Sequence, residues 1–244
     1  MQVISHIRRL IAKAFAAMLL LTTEALLAFL LFAAAIVVFI LISGYVFVGR
    51  REDFDLAVFR FLDGFVSEAN NTVMLFITQL GNHQFLIAAN LTLIVYFLFI
   101  RRHKWYSIKV PAVALGSVAI MLFLKQWFNR ARPEIPLLEP ALGLSFPSGH
   151  AMSSVTFYGL LIYFIWKQSK MSFAWRRLLV ALLVLLILLI GLSRVYLRVH
   201  YASDVVGGFC TGIIWLFVAI KLMNRMQRFS KKRLDPMVRE ATQV

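Results

Sequence analysis

Six stretches of the chain, close to residues 25–48, 83–100, 110–128, 147–167, 177–197 and 203–223, run for about twenty residues each with almost no charge. A helix rises about 1.5 Å per residue, so each stretch can cross a hydrocarbon layer about 30 Å thick. Lipid offers no partner to a backbone N–H or C=O, so a segment of this kind must pair those groups internally, as a helix does. The chain is 61% hydrophobic, above the roughly half that soluble domains carry. The expectation is an all-α protein, a six-transmembrane-helix bundle over residues 25–224. An amphipathic helix over 1–24 precedes it and a basic tail over 225–244 follows.

The amphipathic reading rests on Ile4, Ile7, Ile11, Phe15 and Met18, which share one helical face, with Arg8, Arg9 and Lys13 off it. Basic residues before an apolar run also describe a cleaved signal peptide. Glu24 and the continuing run to Val48 favour an uncleaved anchor. Residues 49–81 mix charges (Arg50, Arg51, Glu52, Asp53, Asp55, Asp63, Glu68) with Phe54, Val58, Phe61, Leu62 and Phe65 at helical spacing. This predicts a short extracytoplasmic helix on the outer membrane surface, broken at Asn70–Asn71. It is either a plain connector or a flap beside a lipid entrance.

The formal net charge is +15. The basic residues fall between the apolar runs and not on one soluble face, which argues against nucleic acid as a partner. Most of the 26 Lys and Arg lie in the N-terminus, the 101–109 loop, the 167–177 turn and the tail. Six spans put all four on one side, which the excess of cations marks as cytoplasmic. Both termini are then cytoplasmic, in a multi-pass protein of the cell (inner or plasma) membrane. Cys210, the single cysteine, sits in an apolar run. It forms no internal disulfide, has no zinc-ligand spacing around it, and reads as a small buried hydrophobe.

Against this background the stretch Ser193–Asp204 is out of place, with two arginines, a histidine and an aspartate between two spans. Charge so close to a bilayer is costly and marks function. The path from His150 to Ser193 is about forty residues with a basic turn midway, enough to cross and return. The span 110–128 ends on the same side. Lys125, Arg132, Ser148, Gly149, His150, Arg194, His200 and Asp204 therefore converge at one extracytoplasmic end of one bundle.

Lys125, Arg132 and Arg194 together call for an anion, and the arginine fork suits phosphate oxygens. Pro147-Ser148-Gly149-His150 opens a helix, whose free N–H groups and positive end make a phosphate seat. His200 and His150 supply a nucleophile or base and an acid that titrates near neutral pH. Asp204, one turn on from His200, can fix the imidazole tautomer. A lone cation at a membrane edge is mostly a snorkelling anchor, and Arg130 and Arg198 are read so. His6, His83 and His103 are read as structural.

Three segments carry a resemblance. Lys125, six residues, then Arg132-Pro133; Pro147-Ser148-Gly149-His150; and Ser193-Arg194, five residues, His200, three residues, Asp204 resemble the three-part signature of the type 2 phosphatidic acid phosphatase and vanadium haloperoxidase superfamily. Within it, the chain resembles the membrane lipid phosphatase branch, of the phosphatidylglycerophosphatase and undecaprenyl-diphosphate phosphatase kind. The resemblance implies that His200 attacks phosphorus to form a phosphohistidine, Asp204 orients it, and His150 protonates the leaving alkoxide. It implies that Lys125, Arg132, Ser148, Gly149 and Arg194 hold the phosphate oxygens. No cofactor and no metal are implied. The implied partners are the bilayer and a phospholipid or polyprenyl phosphate substrate: phosphatidic acid, phosphatidylglycerol phosphate, undecaprenyl diphosphate or a lipid A phosphate. A lipid phosphotransferase would use the same residues. A lipid transporter with an anion site would keep the cations but has no need of two histidines and Asp204.

Overall fold

The computed structural model describes residues 2–138, 141–168 and 170–234. Among them are eight α-helices and no strand: α1 Gln2–Ser43, α2 Asp53–Asp63, α3 Glu68–Gln79, α4 His83–Val95, α5 Lys104–Phe128, α6 Gly149–Trp166, α7 Phe173–Tyr196 and α8 Ala202–Phe229. The expected apolar face of residues 1–22, His6 with it, and the end of the basic tail lie outside the described side chains.

Local chemistry sets most of the boundaries. Ser67, Asn82, His103 and Ser172 each accept a backbone N–H at the start of α3, α4, α5 and α7, satisfying donors that a helix end leaves open. His103 also stacks on Tyr106 at 3.8 Å between ring centroids, in keeping with a structural role. Asn129, left-handed at φ 45°, ends α5 and turns the chain. The expected break at Asn70–Asn71 is not where the chain bends. Both asparagines lie inside α3, and the interruption falls at 64–67, because Ser67 caps the helix that contains them. Segment 49–81 is therefore two helices and part of a turn, not one helix on the surface.

Helices α6 and α8 form the centre. Gly208 and Gly212 of α8 let the two backbones approach: a Cβ on Gly208 would lie 2.6 Å from the Ser148 carbonyl oxygen, and one on Gly212 2.8 Å from Val155 Cβ. This is the small-residue packing that membrane helices use where lipid gives no hydrophobic drive. Around the pair, Val155, Phe157 and Tyr158 of α6 pack with Leu86, Ile187 and Ile190. Cys210 is buried in α8, as expected of a small hydrophobe.

Among the described residues five helices, not the six expected, are long and apolar enough to cross a membrane: Thr23–Val48, His83–Ile100, Lys104–Phe128, Phe173–Tyr196 and Ala202–Lys232. Helix α6 has 18 residues but is not among the five, because it carries His150, Ser153, Ser154 and Thr156. Two of those groups are buried in protein: Thr156, which bonds Ser117 at 3.3 Å, and Ser154, which donates to the Ala151 carbonyl of its own helix. Polarity here reflects a helix surrounded by other helices. The first span packs on α8 through stacked Phe32 and Phe217, 4.5 Å apart. At the end near the polar clusters, Phe39 and Phe47 meet Phe128 and Phe146 at 4.5–6.1 Å.

Candidate active site

The end of α5, the loop after it, the start of α6 and the α7–α8 turn meet around His200, which is 2% exposed. His200 Nδ1 lies 3.2 Å from Ser145 Oγ and 3.5 Å from Asp204 Oδ2. Ser145 donates its hydroxyl to Asp204, so its oxygen is free to accept from Nδ1–H. That geometry places the proton on Nδ1 and a lone pair on Nε2. Burial is the main reason the imidazole pKa falls, to about 4; Asp204 opposes the fall, and Arg132 and Lys125 add to it. The ring is therefore neutral at physiological pH.

Asp204 is fully buried and has every oxygen engaged. Oδ2 accepts from Ser145 and from the Tyr201 N–H at 2.9 Å, and Oδ1 accepts from Arg130 Nη1 at 2.8 Å. Its backbone carbonyl accepts from Ser148 N at 3.0 Å, tying the first turn of α8 to the head of α6.

The predicted cations are brought to the same place. Arg132 donates to the Val199 and Gly143 carbonyls at 2.7 and 2.9 Å and faces His200 Nε2 at 3.2 Å. Lys125 donates to the carbonyls of Leu144 and Ser145. Arg194 donates from Nη1 to Thr78 at 2.6 Å. Among the described residues no carboxylate makes an ion pair with Lys125, Arg132 or Arg194. His150, in the first turn of α6, is within electrostatic reach of Arg194, His200, Arg132 and His83. Gly149 precedes it as the first residue of the helix, against Met121 of α5.

Two polar atoms here are buried without a hydrogen-bond partner: Ser148 Oγ and Arg194 Nε. Ser148 occupies the cap position of α6, yet its hydroxyl does not cap the helix. Buried polar groups are almost always paired, so an orphan asks for an explanation.

Arg130 is not the membrane anchor that its sequence context implied. Its guanidinium is buried, 4.0 Å above the Tyr201 ring, and bridges Asp204 to Asp55 of α2, with Nη2 3.0 Å from Asp55 Oδ2. The two carboxylates outweigh the effect of burial, which would lower its pKa, and raise it instead. Arg198, also read as an anchor, pairs with Asp63 at the bundle's edge. Sequence reasoning passed over Asp55, Ser145 and Ser203 as well. Asp55 had a signal: it sits three, four and seven residues before Val58, Phe59 and Leu62, on the stripe that packs against the α6–α8 core. An acid on an apolar stripe needs a partner inside. Ser145 had none.

The PAP2 superfamily model matches residues 106–228, which include every predicted site residue. The chain belongs to the PAP2 superfamily. It is 32% identical over 162 residues to phosphatidylglycerophosphatase B of Bacillus subtilis (strain 168), over 66% of this chain and 79% of that one. Its fold is similar to the crystal structure of the transmembrane PAP2-type phosphatidylglycerolphosphate phosphatase from Bacillus subtilis, with TM-score 0.73 and 25% identity over 81% of this chain and 98% of that one. It is also similar to the crystal structure of Aquifex aeolicus LpxE, with TM-score 0.55 and 28% identity over 70% and 98%. This PAP2 protein is a multi-pass membrane lipid phosphatase, a hydrolase of phosphomonoesters.

Proposed function

We propose that this PAP2 phosphatase cleaves the phosphate headgroup of a membrane lipid through a phosphohistidine on His200, with no metal ion. The observation that carries the reading is the pair of orphaned buried atoms, Ser148 Oγ and Arg194 Nε, in a site whose other buried polar groups are paired. A phosphate seated there would satisfy both, beside Lys125, Arg132 and the N-terminus of α6 with its Gly149.

The lone pair of His200 Nε2 attacks phosphorus, and the P–O bond to the lipid breaks. The Nδ1 proton stays in place, stabilised through Ser145 and Asp204 as the ring gains positive charge. Bound phosphate brings negative charge that offsets Arg194 and Arg132 around His150, and His150, once protonated, gives its proton to the leaving alkoxide. A water then attacks phosphorus, His150 takes its proton, the P–N bond breaks and inorganic phosphate leaves. Fixed cations and the helix end stabilise the equatorial oxygens, the part a metal plays elsewhere. Both buried carboxylates at this end are already held by Arg130, Ser145 and Ser203.

The cation distribution supports a cell-membrane protein with six spans, α6 joining the five apolar helices as the fourth in chain order, an extracytoplasmic site and cytoplasmic termini. The relatives make phosphatidylglycerol phosphate the first substrate to try, with phosphatidic acid, undecaprenyl diphosphate and lipid A phosphates beside it. The deciding experiment is phosphate release by purified protein in detergent from that panel, with chelator and no acceptor lipid. Release from at least one member is expected. A strict magnesium requirement would overturn the metal-free site, and release only when an acceptor lipid is added would make the enzyme a phosphotransferase.

The neutral ring of His200 gives a second expectation. An ordinary histidine loses its lone pair below about pH 6.5, but here protonation waits until about pH 4. After allowance for the second ionisation of the substrate phosphate near 6, the acid limb of kcat/KM should fall near pH 4. A limb at 6.5 would mean that the free enzyme's nucleophile is not this buried imidazole.

A further inference from the structure

We infer that Asp55, on α2 and outside the residues matched by the family model, is a positioning residue for the reaction, holding the charge and orientation of Asp204 through Arg130 and Ser203. The inference rests on the proposed role of His200 and Asp204.

Asp55 is completely buried. Its Oδ2 accepts from Arg130 Nη2 at 3.0 Å and from Ser203 Oγ at 2.7 Å, and its Oδ1 accepts from Ser203 N at 2.8 Å. Arg130 Nη1 donates in turn to Ser203 Oγ at 2.7 Å and to Asp204 Oδ1 at 2.8 Å. One guanidinium is thus shared between two carboxylates. If Arg130 faced Asp204 alone, it would neutralise the charge that His200 needs as its ring becomes cationic. Divided with Asp55, it leaves the cluster one net negative charge while still fixing the direction of the Asp204 carboxylate.

A purely structural role explains less. Helix α2 already docks through Val58, Phe59 and Leu62 against Ala151, Val195 and the start of α8. A buried ion pair is weak evidence of stabilisation, because desolvation offsets most of its attraction. A carboxylate at the one position of α2 that reaches Arg130 adds geometry that docking does not require.

The test is Asp55→Asn in the full-length protein in detergent, assayed on short-chain phosphatidylglycerol phosphate and phosphatidic acid in mixed micelles, with orthovanadate as the binding probe. Loss of kcat by about tenfold to a hundredfold is expected, as for groups that orient a reacting side chain. KM and vanadate inhibition should stay within about threefold. The acid limb of kcat/KM should move to lower pH, because Arg130 now gives its whole charge to Asp204. Arg132 and Lys125, which also face His200, and His150 and Arg194 across the site, are unaltered, so the limb reports the Asp55–Arg130–Asp204 chain. Asp55→Asn combined with Arg130→Gln should lose no more than the worse single variant.

Unchanged kcat with an unmoved limb overturns the inference. So does a loss of kcat that matches the loss of folded protein and leaves the limb in place. If Asp55→Asn does not fold, Ser203→Ala decides: a loss of about threefold to tenfold at constant KM supports the inference, and wild-type kcat overturns it. His200→Ala, run alongside, separates the two levels. Turnover in that variant removes the nucleophile assignment itself; its inactivity beside a normal Asp55→Asn removes only the role of Asp55.

Discussion

Replacing His200 by alanine should reduce turnover by about 10⁴-fold or more while leaving phosphate binding largely intact. Loss of the nucleophile in an enzyme that works through a covalent intermediate costs on the order of 10⁶ in kcat in the best-studied hydrolase, because the surviving groups cannot form the intermediate at all. Here Lys125, Arg132 and Arg194 hold their positions through bonds to backbone carbonyls and to Thr78. Among them, only Arg132 makes a hydrogen-bonding contact with the ring of His200. Vanadate, lacking its bond to nitrogen, should bind more weakly but still detectably through the cations. The measurement is single-turnover release of phosphate from labelled lipid, with thermal unfolding to verify that the variant is folded. Residual turnover above about one part in a hundred would place the nucleophile elsewhere.

Asp204→Asn should lower kcat by about 10³–10⁴-fold with a much smaller effect on KM, the magnitude found when the orienting aspartate of a catalytic histidine becomes an amide. The carboxylate accepts at both oxygens, from Ser145, the Tyr201 N–H and Arg130. An asparagine must direct an N–H₂ group at one of these donors. Turned toward Ser145, the amide reverses that hydrogen bond, and the Ser145 hydroxyl then favours the wrong proton position on His200. Turned toward Arg130, it sets a donor against a cation. Because Asp55 still pairs with Arg130, the stability cost should be only about 1–3 kcal/mol, the desolvation cost of one buried group left badly paired. Intact thermal stability with near-normal kcat would mean that Ser145 alone orients the ring.

The parts of this site that sequence reasoning found share one property: their positions follow from crossing distance. Lys125 to Arg132, Ser148 to His150 and Arg194 to Asp204 lie at or beside the ends of α5, α6 and α7, so on a reading in which each of these helices crosses once their meeting is a matter of counting residues. What it missed depends on direction. Arg130 looks like any cation at a membrane edge until the left-handed Asn129 turns the chain and the guanidinium is seen to lie over Tyr201. Ser145 occupies an irregular loop with no periodicity to say which way a side chain faces. Asp55 belongs to a short helix whose apolar stripe could equally well have met lipid, and only the packing against α8 shows that it meets protein. The stretch 147–167 reads as a span from its length and lack of charge, but the hydropathy of α6 does not set it among the crossing helices.

The first span is 26 residues long and the one beginning at His83 is 18, about 39 Å of helix against about 27 Å. A single bilayer cannot match both lengths, so the longer helix tilts or the lipid around it deforms. The residues at its far end, Phe39 and Phe47, rest on Phe146, which sits between Ser145 and Pro147. Any change of tilt is therefore carried by aromatic contact into the loop that sets the hydrogen bond to His200. Through Phe39, Phe47 and Phe146, the thickness of the membrane has a path of contact to the catalytic centre.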